Sequence, residues 1–210
     1  HLAGAGIADQ RWTDERMREI RESRTRGTDL VARTIAGLDR KPDVLVSASA
    51  VGWYGNRTDR VDDDSAAGDG WLAEVAVDWE SAADPAREAG IRVVHPRIGI
   101  VLTPKGGALA KMLPPFRLGA GGRVGSGMQG MSWIGLDDLL GILLKAIVDD
   151  RFSGGLNATA PNPVSQLEFA RTLAKVLHRP AIMPLPAAAA RAARSEEHTS
   201  ELQSRQYLVC

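Results

Sequence analysis

Val44-Leu45-Val46 is a short, wholly apolar run that turns within one residue into Ser47-Ala48-Ser49 and ends in Val51-Gly52-Trp53-Tyr54-Gly55. A Val/Leu run of this length, bounded by glycine and small polar residues, predicts a strand buried on both faces, as in a parallel sheet. In open parallel sheets, ligands lie just past the carboxyl ends of the strands. Ser47 and Ser49 fall where the strand stops, with side chains too small to block a ligand. The stretch is therefore a candidate reaction centre, with a strand-end turn capped by serines as the alternative.

The flanking segments repeat the same logic. Thr13 to Leu38 reads as a helix, with Thr13 as N-cap and Asp14 and Glu15 in the first turn, where the macrodipole favours carboxylates. Asn56 to Gly70 is polar and acidic and reads as a surface loop. Trp71 to Ala89 reads as one helix, carrying Trp71, Val75, Trp79 and Ala82 at spacings of three and four. Ile91 to Leu102 is a second buried strand. Strands alternating with helices of this length predict βαβ units on a parallel sheet. The glycine-rich region from Gly106 to Gly127 does not place a G-x-G-x-x-G between a strand and a helix, so it is no dinucleotide fingerprint. It reads as a long loop with a short helix near Ala108–Leu113. Leu136 to Val148 is an apolar helix, and Gly154 to Ala158 a short strand. Ser165-Gln166-Leu167-Glu168 matches the capping box of a helix continuing through Phe169, Leu173 and Leu177.

Composition narrows the functional classes. Lys+Arg and Asp+Glu both number 26, so a net charge of zero gives no electrostatic case for nucleic acid or an anionic membrane surface. No run approaches the roughly 18 consecutive apolar residues of a membrane span. The single cysteine, Cys210, allows no disulfide within the chain and makes the cytoplasm the default compartment. No His/Cys/Asp spacing fits a metal-ligand set. The chain opens His1-Leu2-Ala3-Gly4, in what reads as the end of a strand, with no initiating Met, so its true N-terminus is expected upstream. Arg194 to Ser204 and Tyr207 to Cys210 resemble the in-frame translation of a sequencing-adaptor oligonucleotide, with Arg205-Gln206 across its index. Residues 194–210 are set aside as an artefactual tail.

Taken in order, the motifs resemble the extended short-chain dehydrogenase/reductases, and more closely an atypical epimerase-family branch with a small C-terminal domain. The resemblance rests on His1-Leu2-Ala3-Gly4-Ala5, Ser23 to Thr28, the serine strand Ser47 to Gly55, Arg97 to Leu102, Gly106 to Met112, Ser132-Trp133-Ile134, Asp137-Asp138, and Asn157 to Pro163. It implies an α/β fold: a Rossmann-like, doubly wound parallel sheet over residues 1–150, with residues 151–193 in a smaller C-terminal lobe. It also implies a nicotinamide cofactor, NADP or alternatively NAD, and a small polar substrate, sugar-like or nucleotide-linked. The family's glycine-rich pyrophosphate loop belongs to a first strand–helix unit that these residues do not contain.

Residue roles follow from the same resemblance. Leu2, Ala3, Gly4, Ser47, Ala48, Pro96 and Arg97 match positions near the cofactor, and Ser49, in preference to Ser47, matches the serine that hydrogen-bonds the reacting oxygen. The superfamily's tyrosine, with a lysine four residues beyond it, should fall near Trp71 to Ala76, where neither residue occurs. A phenol titrates near pH 10 and needs a nearby cation to act as base at neutral pH, so the usual proton transfer lacks both components there. Tyr54, Lys111 and Trp133 are candidate substrate contacts, each with a packing or surface role as the alternative. Glu74 is a candidate acid/base or a solvated glutamate, and His95 a core histidine. Arg97 follows a buried strand, and a buried cation needs a partner. Gly135, Pro96, Met128 and Gly130 depart from the branch pattern. An oxidoreductase or epimerase is the leading expectation; a nucleotide-binding protein without catalysis, or an inactive fragment, is the rival.

Overall fold

Strands and helices alternate in the computed structural model, which describes residues 1–7, 10, 12–57 and 59–180. The adaptor-like tail and the end of the expected C-terminal lobe lie outside the described residues. Helix α1 (Asp14–Ala36) opens as expected, the Thr13 hydroxyl accepting from the Arg16 N–H at 3.2 Å. Strands β1 (Val44–Val46) and β2 (Ser49–Ala50) are one strand in register. Val46 pairs with Val94 and Ser49 with Arg97 of β3 (Arg92–Ile98), and Ser47 N–H bridges the interval to the Val94 carbonyl at 3.0 Å. Beyond β1 the opening residue continues the sheet: the His1 amino group donates to the Val46 carbonyl at 2.7 Å, and Ala48 N–H to the His1 carbonyl at 2.9 Å.

Two expected elements divide, each for a local reason. The helix read across Trp71 to Ala89 is two, α2 (Trp71–Ser81) and α3 (Asp84–Glu88). Pro85 has no N–H for the Ser81 carbonyl, so the helical ladder stops there. The strand read across Ile91 to Leu102 breaks at Gly99 into β3 and β4 (Ile100–Leu102). A Cβ on Gly99 would lie 2.7 Å from the Ser132 carbonyl oxygen, so only glycine lets the two backbones cross this closely. The glycine-rich segment also carries more helix than expected, since α4 runs from Gly107 to Arg117 through Pro114 and Pro115.

The remaining elements are β5 (Gly130–Met131), β6 (Trp133–Gly135), α5 (Leu136–Val148), β7 (Gly154–Ala158), β8 (Val164–Ser165) and α6 (Gln166–Val176). β7 pairs parallel with the free edge of β3, and β4 pairs parallel with β6. Helices cover both faces. Leu45, Ile91 and Val93 pack with Ala32 of α1, Ala86 of α3 and Ala83 just before it, while Ile98 and Ala158 pack with Ile134 and Leu139 on the α5 side. Val93 and Ile98 differ in parity along β3, which sends them to opposite faces. The alanines let the helices sit close to the sheet. The architecture is therefore α/β and doubly wound, as expected. A further hydrophobic cluster joins Phe116 of α4 to Ala170 and Ala174 of α6, with β5 antiparallel to β8 beside it. The Ser165 hydroxyl caps α6 by accepting from Glu168 N–H at 3.1 Å. Among the described residues no helix is long and apolar enough to cross a membrane.

Candidate functional site

Past the carboxyl end of β2 the chain turns through a 3₁₀ helix, Val51–Tyr54, into the acidic loop, and a cleft of about 630 Å³ opens there. Ala50, Val51, Gly52 and Tyr54 form the strand-end wall, and Leu72, Val75, Ala76 and Trp79 of α2 form a second. The wall holds its shape because two backbones touch: a Cβ on Gly68 would lie 2.0 Å from the Tyr54 carbonyl oxygen, which glycine alone permits.

Behind the wall is a continuous polar network. Arg97, 4% exposed, gives both Nε and Nη2 to Glu80, at 2.9 and 3.1 Å. Ser49 Oγ donates to the same carboxylate at 2.7 Å. Arg97 Nη1 donates to the Tyr54 phenol oxygen at 3.0 Å and to the Asp63 carbonyl at 3.1 Å. That phenol lies 2.7 Å from Asn157 Oδ1 and 2.9 Å from the Asp62 carbonyl, either of which can accept its proton. The Asn157 N–H in turn donates to Asp63 Oδ1 at 2.6 Å. The guanidinium lies over Trp53, 3.9 Å from the ring centroid, in a cation–π contact. Burial opposes the Arg97 charge, but the hydrogen bonds it donates to Glu80 and Tyr54 outweigh it and hold its pKa above the ordinary arginine value. A cation so paired is fixed in place and pins the phenol at the cleft wall.

The structure distributes the expected site residues unevenly. Ser49 is buried with its hydroxyl turned to Glu80, away from the cleft lining. Ser47 is fully buried, and its hydroxyl has no hydrogen-bond partner. Ala48 and Pro96 are buried within the sheet and do not line the cleft. Leu2, Ala3 and Gly4 are exposed at the strand ends, where Gly4 packs against Arg24, a cleft residue. Tyr54 lines the cleft and Arg97 backs it. Lys111 is exposed on α4, and Trp133 donates its indole N–H to the Asn162 carbonyl at 3.1 Å; neither lines the cleft. Glu74 is exposed on α2. His95 is buried, with Nδ1 3.2 Å from the Ser47 carbonyl and Nε2 3.3 Å from Arg87. Burial pushes its pKa below the ordinary value of 6.5, so it is a neutral core group. Among the described residues no cluster of His, Cys, Asp or Glu could hold a metal.

Glu80, Asn157 and Gly155 were not among the expected site residues, although Asn157 opens one of the motifs that carry the resemblance. Glu80 had a legible signal: Ala73, Ala76, Glu80 and Ala83 are all buried and follow helical spacing, so a carboxylate stands in an alanine stripe. Gly155 had none. A Cβ there would lie 2.5 Å from the Arg97 guanidinium, so the absent side chain is the space the cation fills.

No family model matches the chain. Over 197 residues it is 44% identical to an epimerase family protein of Mycobacterium bovis, matching 93% of this chain and 65% of that one. It thus spans about 65% of that relative's length. Against epimerase family protein SDR39U1 of Bos taurus it is 38% identical over 214 residues, covering all of this chain and 72% of the relative. Among solved structures, human SDR39U1 (isoform 2) crystallised with NADPH superposes with a TM-score of 0.85 at 37% identity, over 91% of this chain and 66% of that one. A nucleoside-diphosphate sugar epimerase from Corynebacterium glutamicum superposes at 0.70 with 38% identity, over 95% of this chain and 43% of that one.

Proposed function

Since the chain belongs to the epimerase family that includes SDR39U1, we propose that it forms the catalytic-face part of an NADP(H)-dependent oxidoreductase or epimerase acting on a small carbonyl or alcohol. The observation that carries this reading is the polar network joining Ser49, Glu80, Arg97, Tyr54 and Asn157 behind a cleft at the carboxyl ends of parallel strands, the place where doubly wound sheets bind nucleotides.

The residues present fit the nicotinamide end of the cofactor. Val51, Gly52, Leu72 and Ala76 offer an apolar surface to a flat ring at the strand ends. The described residues contain no strand–glycine turn–helix for the pyrophosphate, so the fit is to one end of the dinucleotide. NADPH relatedness is supported by the 37% identical human structure crystallised with it; NAD is the alternative. When bound, the nicotinamide supplies hydride chemistry at its C4. The chain's own part would be to supply the rigid wall against which the nicotinamide and the reacting carbon lie. Tyr54, its phenol held by Arg97, Asn157 and the Asp62 carbonyl, would stand as a fixed part of that wall, while Ser49 acts through Glu80 to hold the arginine. The proton can be exchanged with solvent through the open cleft.

A second reading has its own observation. Leu72, Val75 and Ala76 line the cleft where the superfamily's tyrosine and lysine are expected, and the Ser49 hydroxyl is taken up by Glu80. A nucleotide-binding protein without catalysis would look the same. NADPH deuterated at C4, incubated with a panel of aldehydes and ketones, separates the two. Deuterium in a product alcohol is expected of the enzyme; NADPH binding with no transfer across the panel supports the non-catalytic reading.

A further inference from the structure

Two sides of the cleft differ in what they offer. β2 and β7 pair with opposite edges of β3, Ala50 and Ala158 both in register with Ile98. Their ends therefore stand about 10 Å apart, two strand spacings. The side past β2 is the apolar surface assigned above to the nicotinamide. On the side past β7, Ser132, Asn157 and Thr159 line the cleft, and neither residues 128–132 nor residues 157–165 include a charged side chain. Asn157 and Thr159 are alternate residues along the end of β7, which turns them to one face.

The backbone holds these residues in place. Gly99 N–H donates to the Ala158 carbonyl at 3.1 Å, Ile100 N–H to the Ser132 carbonyl at 2.7 Å and Ala160 N–H to the Trp133 carbonyl at 2.6 Å. A Cβ on Gly99 would lie 2.7 Å from the Ser132 carbonyl oxygen and 3.0 Å from Thr159 Cγ2, so the two residues flank a single point. Among the described residues no hydrogen bond engages Ser132 Oγ, Thr159 Oγ1 or Asn157 Nδ2. Other polar groups of the cleft are committed, the Tyr54 phenol to its network and the Ser165 hydroxyl to the cap of α6. Donors already fixed need no ordering when a ligand arrives. Neutral donors suit a neutral oxygen, whereas a carboxylate or phosphate taken out of water needs a cation beside it. Resting on the NADP(H) reading above, the geometry points to Ser132 and Thr159 as the side chains that hold the oxygen of the reacting carbon, with Asn157 Nδ2 on an oxygen of the neighbouring carbon. The substrate class is then a neutral α-hydroxyketone, α-hydroxyaldehyde or vicinal diol.

Saturation-transfer NMR titration of the 210-residue chain with 2-hydroxycyclohexanone, cyclohexanone and cyclohexanecarboxylate, before and after NADP⁺ is added, tests this, once NADP⁺ binding has been titrated by itself. The hydroxyketone is expected to bind roughly tenfold more tightly than either analogue, the worth of about one hydrogen bond. Thr159→Val, which keeps the shape and removes the hydroxyl, and Ser132→Ala should each weaken it by a similar factor and leave NADP⁺ affinity unchanged. Thr159→Ser should restore it, which repair of packing alone would not do. Circular dichroism checks that each variant folds. Equal or tighter binding of either analogue, binding of none of the three, or an unaltered hydroxyketone affinity in a folded Thr159→Val or Ser132→Ala variant overturns the inference. Selective hydroxyketone binding without NADP⁺ binding would instead defeat the cofactor reading and leave the hydroxyl subsite standing.

Discussion

Removing the Glu80 carboxylate would leave Arg97 charged and 4% exposed with its two strongest contacts gone. An uncompensated buried ion costs roughly 3–5 kcal/mol, so Glu80→Ala is expected to lower unfolding free energy by about that much in a urea titration. Because both residues serve one contact, the Glu80→Ala/Arg97→Leu double variant should lose less than the two single variants summed. His95 gives a pH signature of the opposite kind. Its folded pKa lies below the unfolded value near 6.5, so protonation favours the unfolded chain, and stability should fall as pH drops through 6.5 toward the folded value. His95→Gln should flatten that slope in thermal melts between pH 7 and pH 5; an unchanged slope would show that His95 is not its source. At this scale the sequence drew attention to Arg97, a cation after a buried strand, and to Tyr54, with packing as its alternative role; the structure puts Tyr54 in the cleft wall and Arg97 behind it. It passed over Glu80 because one carboxylate among 26 acidic residues is noticed only when the buried face of its helix is traced.

Gly155 on β7 and Arg97 on β3 show how strands hold the site between them. Pairing the strands in parallel register places Asn157 beside Arg97, and Gly155 leaves the guanidinium its space. Gly155→Ala should therefore destabilise by about 1–3 kcal/mol through overpacking. Ala174→Gly, at the α4–α6 contact, should leave NADPH binding unaltered by comparison. Thr13→Ala, which removes the cap of α1, is expected to cost about 1 kcal/mol in chemical denaturation. Elements whose ends carry a chemical marker were legible: Thr13 and Ser165 opened their helices where expected. The two divisions were not expected, one because a visible signal was passed over and the other because there was none. Pro85 stated its break in the sequence, whereas Gly99 breaks its strand only because Ser132, 33 positions further on, comes against it.

For the molecule as a whole, the alternation of apolar runs with helical stripes was enough to predict βαβ units on a parallel sheet, and the doubly wound arrangement came from the family resemblance. The identity of the cleft wall was legible in neither, since it is assembled from β2, α2, β4, β5 and β7, segments scattered from Ala50 to Asn157. The proposed function depends on that assembly binding a nicotinamide nucleotide, and thermal unfolding with increasing NADPH tests this directly. A ligand that binds the folded state alone raises stability with the logarithm of its concentration. The melting temperature should rise steadily with NADPH, and Ala76→Phe, which fills the cleft beside Leu72, should abolish the rise. No rise at any concentration, or a rise that Ala76→Phe leaves intact, would contradict the assignment of this cleft to the cofactor.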